Sequence, residues 1–370
     1  CAIRINDELP ILIQRDQRGQ IIREAFGRGL VRRYGYDAIG RQTEQAVARS
    51  GEALFAVSFD YDAAGNLTRR SDSRHGSDHY RYDPLGRVME HADSRGRLAR
   101  FLHDASGDRL VTGVGERDAP PGVTSSVDRW VREGDYDGRS YRFDRAGNLV
   151  FCSSKPNPDR PPAEAVTTRF SWDANQRLLR SETNGICTRY GYDPLGRRTF
   201  KETNGRRMSF YWDGDALAAE DACEVSEPAA DEAVRFARVR EYLNYPATFS
   251  PLALIDGSAS QSRVYHYHTD PNGCPTRLTG EAEEVVWSAA YGVWGTVMTV
   301  HADKLSNPIR LQGQYEDSET SLRYNRHRYF DHTIGQFVGQ DPLRLRPSDN
   351  IYEFGPNAFQ WADPLGLAQH

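Results

Sequence analysis

Tyr80-Arg81-Tyr82-Asp83-Pro84-Leu85-Gly86-Arg87 returns, with only Gly191 replacing the first arginine, as Tyr190-Gly191-Tyr192-Asp193-Pro194-Leu195-Gly196-Arg197. Looser copies run from Tyr34 to Arg41 around Asp37 and Gly40, from Phe59 to Asn66 around Asp62 and Gly65, and from Tyr141 to Asn148 around Asp144 and Gly147. Weaker ones lie at Leu102-His103-Asp104, Trp172-Asp173 and Trp212-Asp213. Clean copies recur about every 20 residues, the mark of a repeat architecture.

The unit has a direct physical reading. Asp opens a type I turn because its carboxylate accepts backbone N–H bonds, Pro presets φ at the next position, and Gly takes the positive φ at the end. This is a hairpin loop closing on a G1 bulge. Ahead of the turn, aromatic-x-aromatic places two rings on one face of a strand, since strand side chains alternate. After it comes another alternating strand, such as Arg87 to His91 or Arg197 to Lys201. Each unit is therefore one hairpin, too small to be stable alone and stabilised by stacking its rings on its neighbours.

Composition agrees. The 370 residues hold 15 Phe, 6 Trp, 19 Tyr and 32 Gly but only 3 Met, which points to strands and turns rather than helices. A net charge of −5 with dispersed Lys and Arg marks no nucleic-acid surface. No apolar run is long enough for a membrane-spanning helix, and no signal peptide is present. Cys1, Cys152, Cys187, Cys223 and Cys274 are scattered and read as isolated thiols rather than a disulfide or zinc framework. Residues 114–130, 152–168 and the acidic 220–233 break the period and read as inserted loops. Both chain ends read as cut from something longer.

These residues resemble the RHS/YD-repeat proteins, named for the Tyr-Asp unit. The resemblance strengthens toward the C-terminus: Tyr265 to Thr279, Val286 to Gly295, Asn307 to Asp317, Leu322 to Asp331, Gly335 to Phe337 and Asp341-Pro342 look like the RHS core. It implies an all-β fold in which hairpins form a spiralling sheet closed into a hollow shell, or cocoon, with a core-associated plug. It divides the chain into a shell segment over 1–262, a core domain with a self-cleavage site over 263–367, and the start of a toxin domain at 368–370. The relatives implied are Rhs polymorphic-toxin effectors, among them those of type VI secretion, the C components of insecticidal toxin complexes and, more distantly, teneurins.

The chemistry follows the same resemblance. In this family the chain is cut after the Leu of Asp-Pro-x-Gly-Leu, here Leu367-Ala368, and Asp341, Asp363 and Arg328 fall where the family has its functional residues. Paired carboxylates suit peptide hydrolysis, because two in one site cannot both ionise cheaply and so divide into acid and base. Arg328 would hold a carboxylate or stabilise the oxyanion. The plain alternative is that Asp363 is one more turn residue, as Asp83 and Asp193 are. Asp341 also departs from the family, carrying Arg344 where Gly is usual.

Asp331 reads as a turn residue. His266 and His268 share a strand face with Asp270 nearby but find no third ligand, so they read as packing rather than a metal site. No cofactor is implied. The implied partners are a C-terminal toxin domain in cis, a secretion spike or other delivery component, a chaperone and an immunity protein, with synthesis in the bacterial cytoplasm and delivery to target cells. The rival is a YD-repeat surface protein for adhesion or carbohydrate binding, which needs no cleavage.

Overall fold

The computed structural model describes residues 2–5, 9–103, 109–110, 127–128, 131–136, 138–154, 165–224, 238–258, 261–280, 284–343 and 350–367. These residues fall into two compact units, one holding the described residues up to Phe101 and one those from Leu102 onward. Both are built almost wholly of antiparallel strands, with one short 3-10 turn at Gly27–Gly29.

The first unit is a ten-stranded sheet in strict sequence order, from Ala2–Ile3 to Leu98–Arg100. The second carries a sixteen-stranded sheet from Val127–Asp128 to Val297–Asp303, a two-stranded one, and a four-stranded one from Tyr315–Asp317 to Gln336–Phe337. Among the described residues each strand pairs with a strand next to it in sequence. The boundary expected between 262 and 263 lies inside the strand Gln261–Thr269, and the ladder runs across it without a break.

The repeat chemistry works as its residues dictate. At Asp83 the backbone N–H bonds to the Arg87 carbonyl and the carbonyl accepts from Gly86, closing the turn. Oδ1 accepts from the N–H groups of Leu85 and Arg87 while Oδ2 takes the Arg87 guanidinium at 2.6 Å. Gly86 has φ +76° and the register shifts at Arg81/Tyr82, as a bulged hairpin requires. At Trp172-Asp173 the glycine position is filled instead by Gln176 at φ +62°.

The two rings divide the work of stacking. The first is buried: Phe59, Tyr80, Tyr141, Phe170, Tyr190 and Phe210 are each at most 6 % exposed. The second reaches back to the preceding hairpin and donates to its backbone: Tyr82 to the Leu67 carbonyl, Tyr192 to Leu178, Trp172 to Leu149 and Trp212 to Arg198, at 2.6–3.0 Å. Burial of each ring contributes a few kcal/mol at most, roughly 1.5–3 for a Phe-sized side chain, so it is repetition that stabilises the sheet.

In the second unit the chain after Asp303 leaves the ladder and packs on the large sheet. Leu322, Tyr324, Tyr329 and Val338 join Tyr141, Phe143, Leu149, Phe170, Leu178 and Tyr190 in one apolar cluster. Polar ties fix the contact: Arg198 and Lys201 pair with the buried Asp317, and Lys201 also with Glu319. Tyr190 donates to Glu319, Tyr141 to Asp331, and Tyr352 to the Gly147 carbonyl.

Three loop expectations are corrected in part. Residues 220–224 end the strand Ala216–Glu224, where Glu220 and Asp221 are buried because Tyr242 and Tyr211 donate to them and Arg240 lies beside Glu220. Residues 152–154 and 166–168 are likewise strand, in Leu149–Ser154 and Val166–Trp172. Residues 127–128 are strand too, as Val127–Asp128, and 114–126, 129–130, 155–164 and 225–233 lie outside the described residues. Gly35 and Gly191 lie within strands rather than turns, and Gly191 is held there by contact: a Cβ would meet the Phe200 ring at 2.1 Å.

Candidate functional site

A tight hairpin builds the site. The strands Leu322–Asn325 and Arg328–Asp331 pair in register, with Asn325 opposite Arg328, around a turn in which Arg326 takes φ +44°. Its tip grips the chain from Asp363 to Leu367. Asn325 Nδ2 donates to the Asp363 carbonyl at 2.6 Å, His327 N–H to Leu365 at 3.0 Å, and Arg328 Nε to Gly366 at 2.6 Å. From below, Gly313 admits this segment, since a Cβ there would fall 2.1 Å from the Pro364 carbonyl oxygen.

Onto this frame the fold brings the three residues singled out from the sequence. Arg328 Nη2 lies 3.0 Å from Asp341 Oδ2 and 3.0 Å from Asp363 Oδ2, so one nitrogen serves both carboxylates. Arg328, Asp341 and Asp363 are 5 %, 4 % and 1 % exposed. The guanidinium lies 3.6 Å over the Phe337 ring and its Nη1 donates to Ile351, which in turn accepts from Asp341 N–H. Each carboxylate keeps its other oxygen for backbone: Asp341 Oδ1 for Leu343 N–H at 2.7 Å, Asp363 Oδ1 for Leu367 N–H at 3.0 Å.

The electrostatics separate the groups. Burial raises the pKa of Asp341; Arg328 and the Leu343 N–H pull it back, the Asp363 charge pushes it up again, and the balance is upward. Burial lowers Arg328 despite both carboxylates, yet a guanidinium keeps its proton in a protein. Burial and the neighbouring Arg326 hold His327 down to about 4, so it stays neutral beside the site. Two buried carboxyls sharing one cation make the doubly ionised pair costly.

Leu367 is in place, its N–H on Asp363; Ala368 and Arg344 lie outside the described residues. Asp331 takes its turn role, accepting from Thr333 N–H and Gly335 N–H, and is also buried against Tyr141. His268 bonds its Nε2 to Thr279 at 3.0 Å, and no group of three metal-ligating side chains occurs among the described residues. Sequence reading missed Asn325 and Gly313. Gly313 was visible as a glycine inside Leu311-Gln-Gly-Gln-Tyr315, but its role needs a segment 50 residues away; Asn325 carried no signal.

Comparison with known proteins adds the family. The model described as "RHS protein" matches residues 264–301, and "RHS Repeat" matches 61–98 and 172–207. Double-stranded DNA deaminase toxin A of Burkholderia cenocepacia is 32 % identical over 409 residues, covering 99 % of this chain and 26 % of that protein. Toxin protein Tse5 of Pseudomonas aeruginosa is 29 % identical over 387 residues, covering 89 % of this chain and 28 % of that one. The chain thus spans about a quarter of the length of these relatives. Among solved structures, the crystal structure of TcdB2-TccC3-Cdc42 aligns with a TM-score of 0.66 at 15 % identity over 99 % of this chain and 20 % of its own, a likeness of fold.

Proposed function

This chain is an RHS/YD-repeat protein, and from that we propose that it is part of the enclosing wall of a toxin-delivery protein and cuts itself once, after Leu367. The observation that carries the reading is Arg328 Nη2 held between Asp341 and Asp363 in a nearly dry site, with Leu367 N–H fixed to Asp363.

The roles follow from the environments. Asp363 is given the ionised role, because Arg328 directs its side-chain hydrogen bond to Asp363 while burial favours the protonated form of Asp341, and Asp363 takes a proton from the attacking water. Asp341, raised by burial, holds the proton that goes to the leaving amide nitrogen of residue 368. The water oxygen bonds to the Leu367 carbonyl carbon, and the C–N bond breaks to leave a carboxyl on Leu367 and an amine on 368. Arg328 keeps the pair charged as required and fixes its geometry.

In this reading the residues after Leu367 belong to a toxin domain of the same polypeptide, the hairpin sheets wall it in, and 263–367 is the cutting end of that wall. A delivery spike, a chaperone and an immunity protein are the partners such a toxin requires, with type VI secretion as the route into a target cell.

The test is direct. The 370-residue chain carrying a tag after His370 is expected to release a peptide beginning at Ala368, read by mass spectrometry. Intact tag on correctly folded protein overturns the proposal.

A further inference from the structure

Asn325 holds an acceptor that nothing in the fold uses. The residue is wholly buried, at 0 % exposure, and its Nδ2 donates to the Asp363 carbonyl at 2.6 Å. Among the described residues its Oδ1 is buried without a hydrogen-bond partner. The amide cannot be turned round to cure this, because the Asp363 carbonyl only accepts and must face the NH2 end. If Asn325 served only to pin the Asp363 backbone, the stranded oxygen would be a standing penalty, since an unmet buried acceptor costs more than the hydrogen bond beside it returns.

Its position says what the oxygen is for. Asn325 pairs directly with Arg328 across the hairpin, and the two side chains grip opposite ends of the four-residue Asp-Pro-Leu-Gly turn, at Asp363 and Gly366. An acceptor in that place, next to the base and free of the fold, suits a small donor that arrives only for the reaction.

We propose that Asn325 is a positioning residue for self-cleavage: its Oδ1 accepts one hydrogen of the attacking water while Asp363 takes the other as the base. The water then has both hydrogens directed and its lone pair turned to the Leu367 carbonyl. The step balances as before: the water oxygen joins Leu367 C, its proton passes to Asp363, Asp341 protonates the amide nitrogen as the C–N bond breaks, and Asn325 gives and takes no proton. The inference rests on the cleavage reading above.

Two variants separate this role from a structural one, in the tagged 370-residue chain with thermal midpoints measured alongside. Asn325→Ala removes donor and acceptor and is expected to slow cleavage on the order of 10²-fold at every pH. Asn325→Asp restores both when its carboxyl is protonated, so its cleavage is expected to recover toward wild type as pH falls, adding an ionisation to the alkaline limb. Asn325→Ala within about threefold of wild type overturns the inference while leaving the cleavage reading intact. So does an Asp variant that tracks Ala at all pH values, which would make the residue a structural pin. Wild type that folds and does not cleave removes both.

Discussion

Asp-Pro-Leu-Gly occurs three times in this chain, and the copies at Asp193 and Asp363 do opposite things with the same turn. In both, Gly at the fourth position has positive φ, +76° at Gly196 and +70° at Gly366. In both, Asp Oδ1 accepts the N–H of the residue four places on, Arg197 at 2.8 Å and Leu367 at 3.0 Å. The difference is that fourth residue. Arg197 turns its own guanidinium back onto Asp193 Oδ2 at 2.7 Å, completing the turn within itself. Leu367 has nothing to offer, and the second oxygen of Asp363 goes to Arg328 instead. One substitution after a shared motif decides whether the carboxylate is consumed locally or left for a distant partner.

The largest effect that sharpens this contrast is chemical. Asp363→Asn keeps shape but loses the base, and is expected to reduce release of the Ala368 peptide by 10³-fold or more, taking the upper part of the range for a general base. Asp193→Asn is expected to leave the release rate unchanged and to lower the thermal midpoint slightly, as loss of a partly buried surface ion pair should. Equal cleavage defects in the two variants would erase the distinction between the turns.

A smaller effect comes from exchanging the fourth residue. Leu367→Arg gives Asp363 the self-contained partner of a repeat turn, drawing its Oδ2 away from Arg328, and cleavage is expected to slow roughly 10- to 100-fold, a few kcal/mol of barrier. Leu367→Met, which keeps volume and offers no cation, is the control expected near wild type. Time courses of tag release on both variants decide it; Arg no slower than Met would mean that Asp363 does not depend on Arg328.

This contrast also explains how much could be read beforehand. The hairpin fold was legible because every step is local: Asp83 bonds within four residues, and Tyr82 reaches one hairpin back. The site residues were legible only through the resemblance, because Asp363 looks like Asp193 until Arg328 is brought to it from 35 positions away. Glu220 and Asp221 misled for the converse reason. Acidic residues in a row suggest an exposed loop, and only Arg240, Tyr242 and Tyr211 on facing strands make them strand residues. Asn325 and Gly313 stayed hidden since an unmet oxygen and a missing Cβ have meaning only against the packed segment.

The smallest effect is one of sign in the pH dependence of stability, and it sets Asp193 against Asp341. Desolvation nudges Asp193 upward, but the backbone and side-chain hydrogen bonds of Arg197 outweigh it and hold its pKa below the ordinary carboxylate value. The stability it contributes is present above the unfolded pKa, near 3.8, and is lost as pH falls through the lower folded value. Asp341 is raised, chiefly by burial, so the folded chain holds its proton more tightly than the unfolded one. Its contribution is full below the unfolded pKa and is lost as pH rises through the folded value. Replacing each by Asn removes the titration. Relative to the parent, Asp193→Asn should lose stability at neutral pH and approach parity in acid, whereas Asp341→Asn should look better at neutral pH than in acid. Urea midpoints across that range, on chains ending at Leu367 so that no scissile bond remains, read both signs. The same sign in both variants would mean that Asp341 is held as an ordinary paired carboxylate, which would take away the proton it is proposed to donate.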